Sequence, residues 1–185
     1  ARSQTAGPCQ LSQDVPRRRV PAQPQTIAGC RALSGFLLDT NVVSMLAPSK
    51  AEASAGFLTW LDRMDTDGRL FLSVVSIHEI EKGIALLDHK GATAKAASLK
   101  AWLSGLVSTY DDKIIGFDAQ AAAIGGRLEA KALAAGHDPG MADAVIAGTA
   151  AAHELVVVTR NTKHFVPFGV AVLSPDEAAA QGGPA

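Results

Sequence analysis

The sequence predicts an α/β fold built on a central, mainly parallel β-sheet flanked by helices, and three observations carry that prediction. Short apolar strand signals alternate with segments of helical periodicity from Gly35 onward, the pattern of a parallel sheet with crossover helices. The run Leu155-Val156-Val157-Val158-Thr159 is dominated by β-branched residues without polar alternation, as expected of a strand covered on both faces. Acidic residues stand where strands end or helices begin, at Asp39, Glu79 and Asp143. In an open parallel sheet those points share one edge, which is the edge where ligands bind.

Taken in order, Phe36-Leu37-Leu38 is a short buried strand closed by Asp39. After a break at Pro48, the residues Phe57, Trp60, Leu61 and Met64 recur at helical spacing and define one apolar face. Leu70 to Val75 reads as the second strand, with Ser76 opening the next helix. That helix, through Ile80, Ile84 and Leu87, is expected to form a hairpin with a helix from about Ala92 to Thr109. The second arm carries Leu99, Trp102, Leu103, Leu106 and Val107 on one stripe and ends at Asp111-Asp112. Lys113-Ile114-Ile115 is a brief strand, and Asp118 suits the N-cap of a helix running to Gly136, whose glycine fits a helix stop. A helix from near Met141 carries Val145, Ile146 and Thr149, and Val170 to Leu173 forms a last strand. There is no internal repeat. Helical spacing assigns Trp60 and Trp102 to core or interface, and Gly125-Gly126 to close helix packing rather than to a phosphate cradle.

A length of 185 residues suits one domain with a core large enough to need no staples. Apolar residues at 48% without a long uninterrupted apolar run exclude a helical membrane protein. Residues 1–34, rich in Pro, Gln, Ser, Ala and Arg, lack apolar periodicity and read as a disordered leader or an appended extension, with some transit-peptide character but no apolar signal region. The start at Ala1 fits processing or a trimmed tag. The globular domain is expected over 35–175, followed by a flexible tail over 176–185. Residues 1–35 hold Arg2, Arg17, Arg18, Arg19 and Arg31 against Asp14 alone, so they carry +4 of a chain whose net charge is −1, and the remainder carries −5. A mildly acidic globular part does not attract a polyanion by bulk charge, so contact with nucleic acid must rest on a local basic rim or on metal ions. Cys9 and Cys30 make no disulfide framework, which points to a reducing cytoplasm.

Each acid alone has an ordinary structural reading. Asp39 can cap the turn after its strand, Glu79 lies three residues after Ser76 at capping-box spacing, and Asp143 in a first helical turn suits the helix dipole. Three carboxylates meeting at one sheet edge, however, repel one another unless a cation lies between them. Other chemistries find no support. His78, His153 and His164 have neither HExxH spacing nor a cysteine neighbour for zinc, and no G-x-S-x-G elbow or Walker loop is present. His164 follows Asn161 closely enough to touch substrate, but a surface role suits it better.

The segments Leu38-Asp39-Thr40-Asn41, Ser76-x-x-Glu79, Asp143-Ala144-x-Ile146-Ala147 and Thr159-Arg160-Asn161 occur in that order. In this the chain resembles the PIN-domain ribonucleases, and most of all the VapC and FitB-type toxins of bacterial toxin–antitoxin pairs, often labelled plasmid stability proteins. The resemblance runs from about Gly35 to Pro175. It extends to Phe117-Asp118 before a small-residue helix, to Phe165, and to the closing Val172-Leu173-Ser174-Pro175. It implies a three-layer PIN-like fold and an RNA-cleaving hydrolase dependent on Mg²⁺ or Mn²⁺. It also implies a homodimer and an antitoxin that lays a segment across the active site and carries a DNA-binding fold. By resemblance Asp39, Glu79 and Asp143 are metal ligands, Asn161 takes the place where many members have a fourth acid, and Asn41 and Thr159 orient the carboxylates. Arg160, Lys163 and Lys82 are candidates for phosphate contact.

The chemistry suits these residue types. Mg²⁺ and Mn²⁺ are hard ions that take oxygen ligands and keep several waters, so phosphodiester hydrolysis by an activated water needs no nucleophilic side chain. Asn161 withholds a negative charge, so a reduced metal affinity or a preference for Mn²⁺ is expected. Two alternatives follow from the same residues: a PIN scaffold that works by binding a partner or RNA, and a phosphatase with Asp39 as nucleophile. The second wants another acid two positions on, where Asn41 stands.

Overall fold

The computed structural model describes residues 35–48, 50 and 52–181. The elements are β1 Gly35–Leu38, α1 Thr40–Met45, α2 Ala55–Thr66, β2 Leu70–Ser73, α3 Val74–His89, α4 Thr93–Thr109, β3 Ile114–Ile115, α5 Ala119–Ala134, α6 Met141–His153, β4 Leu155–Val158, α7 Thr162–Phe165, β5 Val172–Leu173 and α8 Pro175–Gln181. The expected leader, residues 1–34, lies outside the described residues.

All four strand pairings are parallel and the sheet order is β3-β2-β1-β4-β5. The chain therefore lays β2 and β3 on one side of β1, and β4 and β5 on the other, so the order reverses between β1 and β4. Leu38 stands in register with Leu72 of β2 and with Val158 of β4, which brings the carboxyl ends of all three strands level.

Alternation along β1 separates two cores, because successive side chains of a strand point to opposite faces. Phe36 and Leu38 face a cluster with Phe57, Trp60, Leu61, Met64, Ile80, Ile84 and Leu103. Leu37 faces the other cluster, with Ala144, Ile146, Ala147, Val157, Phe165 and Phe168. Helices α2, α3 and α4 thus cover one face, and α6 and α7 the other, giving the three layers. In the first core Trp60 stacks on Phe57 at 5.7 Å between ring centroids and meets Phe36 edge-on at 4.8 Å. Such aromatic pairs add about 0.5–1.5 kcal/mol each beyond their buried area. The α3–α4 hairpin forms as expected, with Ile80 and Ile84 in the same core as Ala96 and Leu103.

Close packing of α5 on α6 depends on glycine. A Cβ on Gly148 would lie 2.6 Å from the Ala121 carbonyl oxygen and 2.7 Å from Gly125 Cα, backbone atoms that cannot swing aside. Gly125 serves this contact, whereas a Cβ on Gly126 would meet nothing within 4 Å.

Three boundaries differ from the sequence reading. Strand β2 ends at Ser73, two residues before Val75, because the Ser73 hydroxyl accepts from Val75 N at 3.2 Å and starts the helix there. Val74 and Val75 are good strand formers, but the cap overrides a weak propensity. The last strand is only Val172–Leu173, preceded by Gly169 in the left-handed region at φ +70°. The expected flexible tail is helical over Pro175–Gln181. Ser174 and Glu177 form a reciprocal capping box there, with Glu177 Oε2 accepting from Ser174 N at 2.8 Å and Ser174 Oγ accepting from Glu177 N at 3.2 Å. Ala178 is fully buried in the first core, and Ala179 packs against Gly56 of α2.

Candidate active site

Residues Asp39 and Thr159 each follow directly on a strand, β1 and β4, on either side of the point where the strand order reverses. A crevice at the carboxyl ends of the strands is the expected ligand site of such a sheet. Asp39 is held there by its backbone, since its N–H donates to the Val158 carbonyl at 3.0 Å as though β1 continued one residue further. Its carboxylate also caps α1, with Oδ1 accepting from Thr40 N at 2.6 Å. The other oxygen, Oδ2, accepts from Asn41 Nδ2 at 2.6 Å and from the Thr159 hydroxyl at 2.7 Å. The ordinary capping role and the site role therefore coexist in one residue.

Two side chains link the strand ends. Asn41 Oδ1 accepts from Arg160 N at 3.1 Å while its amide serves Asp39, and the Thr159 oxygen accepts from Asn161 N at 3.0 Å. The positioning roles expected of Asn41 and Thr159 have concrete partners in these bonds.

Glu79 arrives from α3, but not through a capping box. Because Ser73 caps that helix, Ser76 lies inside its first turn, fully buried, and Glu79 turns toward β1 to accept from the Thr40 hydroxyl at 2.6 Å. Asp143 sits in the first turn of α6, where the N-cap is Gly140. Its Oδ2 lies 3.2 Å from Nδ1 of His164, which α7 supplies.

Electrostatics tie the three acids together. Burial pushes the Asp39 carboxyl up to about 6, and the negative charges of Asp143 and Glu79 push the same way, against the hydrogen bonds from Thr159 and Thr40. A group that is only 5% exposed and faces two further carboxylates is ionised most readily beside a cation. Donor type and charge fit a hard divalent ion. The side chains as placed are each satisfied within the protein, by Thr159 and Asn41, by Thr40 and by His164. Among the described residues no three Asp, Glu, His or Cys side chains converge closely enough to share an ion in that arrangement.

The basic candidates divide. Arg160 gives its guanidinium to Glu52 at 2.9 Å in an exposed pair. Lys163 lines a cleft of about 300 Å³ with Asp143, His137, His164 and Pro167. Lys82 is exposed on α3. Asn161, also exposed, touches the centre through its backbone N–H. Sequence reasoning missed Thr40 and favoured a surface role for His164. The signal for His164 was its place shortly after Thr159, which follows directly on β4. The signal for Thr40 was a hydroxyl between two motif residues, which means little before α3 is known to pack beside it.

Comparisons with known proteins agree with this architecture. Residues 36–166 match the family described as PIN domain. Plasmid stability protein StbB of Pseudomonas syringae pv. tomato is 35% identical over 144 residues, covering 77% of this chain and 99% of that protein. Toxin FitB of Neisseria gonorrhoeae is 32% identical over 140 residues, 76% of this chain and 97% of its own. VapC ribonuclease Y4jK of Sinorhizobium fredii is 33% identical over 145 residues, with 78% and 99% covered. Among solved structures, FitAcB from Neisseria gonorrhoeae matches with a TM-score of 0.65 at 33% identity over 76% of this chain and 97% of that one. DNA-bound VapBC from Salmonella typhimurium matches with a TM-score of 0.61 at 25% identity over 76% and 98%. With the parallel sheet, the acids at its carboxyl edge and relatives matched over nearly their whole length, the chain belongs to the PIN-domain family, among its FitB- and VapC-like toxins.

Proposed function

We propose that this protein is a Mg²⁺- or Mn²⁺-dependent endoribonuclease, the toxin of a type II toxin–antitoxin pair, which hydrolyses RNA phosphodiester bonds. The observation that carries the proposal is the Asp39 carboxyl, held at the crevice by Thr40, Asn41 and Thr159 and raised to about 6 chiefly by its burial, with the charges of Asp143 and Glu79 adding to the rise. A relative named VapC ribonuclease supports the reaction class.

Asp39, Glu79 and Asp143 would hold the ion. When bound, such an ion lowers the pKa of an attached water and stabilises negative charge on the leaving oxygen. Thr159 and Asn41 keep Oδ2 of Asp39 oriented through hydrogen bonds that leave its charge intact. Asn161 adds no charge, in keeping with a smaller metal affinity or a preference for Mn²⁺. Lys163, His137 and His164 bring a cation and hydrogen-bonding groups to the Asp143 side of the crevice, beside Asp138. That cleft suits RNA next to the cleaved bond.

The partners follow the same reasoning. FitAB bound to an IR36 DNA fragment and DNA-bound VapBC are complexes, which supports a cognate antitoxin with a DNA-binding domain, and a homodimeric toxin is part of the reading. An apolar groove of about 230 Å³, lined by Ile80, Ile84, Leu99 and Trp102 and reaching Thr40 and Glu79, suits an antitoxin segment laid toward the acids. Action in the cytoplasm accords with this reading. No described helix is long and apolar enough to cross a membrane.

The phosphatase reading loses ground, since both ends of the Asn41 amide are engaged and both Asp39 oxygens accept hydrogen bonds. The binding-scaffold reading draws on Asn161 and on acids turned toward protein partners. One experiment separates it from the nuclease. Antitoxin-free protein is incubated with total cellular RNA and Mg²⁺ or Mn²⁺, beside Asp143→Asn and an EDTA control. Discrete fragments with 5′-phosphate ends, lost in both controls, are expected; intact RNA with well-folded protein leaves the scaffold.

A further inference from the structure

We infer that Thr40 is a positioning residue that fixes Glu79 relative to Asp39 and so sets the cation affinity of the centre, an inference that rests on the metal-dependent reading above. Thr40 touches both acids through different atoms. Its backbone N–H donates to Asp39 Oδ1 at 2.6 Å, and its hydroxyl donates to Glu79 Oε2 at 2.6 Å, across 39 residues of sequence. One residue at the start of α1 therefore holds an acid from β1 and an acid from α3 in a single frame. The same hydroxyl lies 3.2 Å from the hydroxyl of Ser76, which is fully buried inside α3. Thr40 has one hydroxyl proton, and an ionised carboxylate is the stronger acceptor, so the contact with Ser76 uses a Thr40 lone pair and a Ser76 proton. The order of donation is Ser76 to Thr40 to Glu79.

A hydroxyl suits this task where a cationic side chain does not. Lysine or arginine would orient Glu79 equally well but would cancel the charge that attracts the ion. Threonine donates one hydrogen bond, leaves the carboxylate fully negative and leaves its second oxygen available to an ion. Outer partners of this kind orient metal-binding carboxylates, and their loss typically costs ten- to a hundredfold in metal affinity.

The test is Mn²⁺ titration of the full-length, antitoxin-free protein by calorimetry, for wild type, Thr40→Val, Thr40→Ala, Thr40→Ser, Glu79→Gln and the double variant Thr40→Val/Glu79→Gln, with melting curves as a fold control. Thr40→Val and Thr40→Ala are expected to weaken Mn²⁺ binding about tenfold, and Thr40→Ser to stay within about threefold of wild type. In the Glu79→Gln background the Thr40→Val change should cost nothing further, because its effect passes through Glu79. Two results overturn the inference alone: Mn²⁺ bound equally well by folded Thr40→Val and Thr40→Ala, or an undiminished loss in the Glu79→Gln background. Wild type that binds no Mn²⁺ overturns the inference and the metal-dependent reading together. Wild type that binds Mn²⁺ with the expected Thr40 dependence but cuts no RNA leaves the inference standing and removes the nuclease.

Discussion

The Thr159 hydroxyl donates to the Asp39 carboxylate at 2.7 Å although 120 residues separate them. That bond crosses from the end of β4 to the end of β1, and it lowers the affinity of Asp39 for a proton against the opposing effect of burial. Both groups are nearly inaccessible to water, so no water takes the place of either one if it is removed.

Thr159→Val, which keeps the shape and removes the donor, is therefore expected to destabilise the fold by about 1–3 kcal/mol at pH 7, the cost of a charged acceptor losing a buried partner. Urea denaturation gives the number. The same variant should show Asp39 protonating at a higher pH than in the wild type, measurable from the carboxyl carbon shift in NMR.

Stability should depend on pH through Asp39. Its carboxyl is raised from 3.8 in the unfolded chain to about 6 in the folded one. The folded state thus binds the proton more tightly, and stability falls as pH rises from about 4 to above 6. A difference of this size corresponds to at most about 3 kcal/mol. Denaturant midpoints from pH 4 to 8 should decline less for Asp39→Asn than for wild type; identical slopes would remove the raised carboxyl as their source.

Divalent ions should reverse that decline. If an ion binds beside Asp39, its stabilising effect grows with pH through 6, as the proton it competes with is lost. The melting shift produced by Mn²⁺ is expected to be larger at pH 7.5 than at pH 5, and absent in Asp39→Asn.

Gly148→Ala is expected to cost about 1–3 kcal/mol, because its Cβ would meet backbone atoms of α5 that no rotamer change can clear. Gly126→Ala, on the open side of α5 beside Gly125, should be neutral or slightly stabilising as a helix substitution. Thermal melts of the two variants form a matched pair.

Ser174→Ala removes one arm of the capping box on α8 and should cost about 1 kcal/mol. Loss of that cap should also raise the rate of proteolytic cleavage within residues 175–181, read by mass spectrometry.

Much of this architecture was legible in the residues. Leu155–Val158 is a central buried strand because its β-branched side chains fit nowhere else, and Asp118 caps α5 by accepting from Ala121 N at 2.8 Å, as its position implied. Asp39 and Asp143 could be singled out because each stands at an element boundary, and Glu79 because Ser76 reads as the opening of its helix, although α3 begins at Val74. What could not be read was the pairing around them. Whether Glu79 belongs to a capping box or to Thr40 depends on where α3 begins, and Val74-Val75 argues for strand while Ser73 decides for helix. The α8 helix was hidden for a similar reason. Its alanines carry little hydrophobic signal alone, and they become core only because Gly56 on α2 leaves room for Ala179.

The strand order has a consequence for synthesis. β1 pairs with β2 and with β4, yet β4 is made more than a hundred residues later. A nascent chain that has emerged only as far as α5 therefore has the hydrogen-bonding groups along one side of Gly35–Leu38 unmatched, next to an apolar face waiting for Ala144, Ile146 and Val157. Contacts so distant in sequence form late and slowly, and an open edge of this kind invites pairing with another chain. The Asp39–Thr159 bond closes in the same event that fills that edge, so an incompletely made chain has neither a sealed sheet nor an assembled acidic crevice.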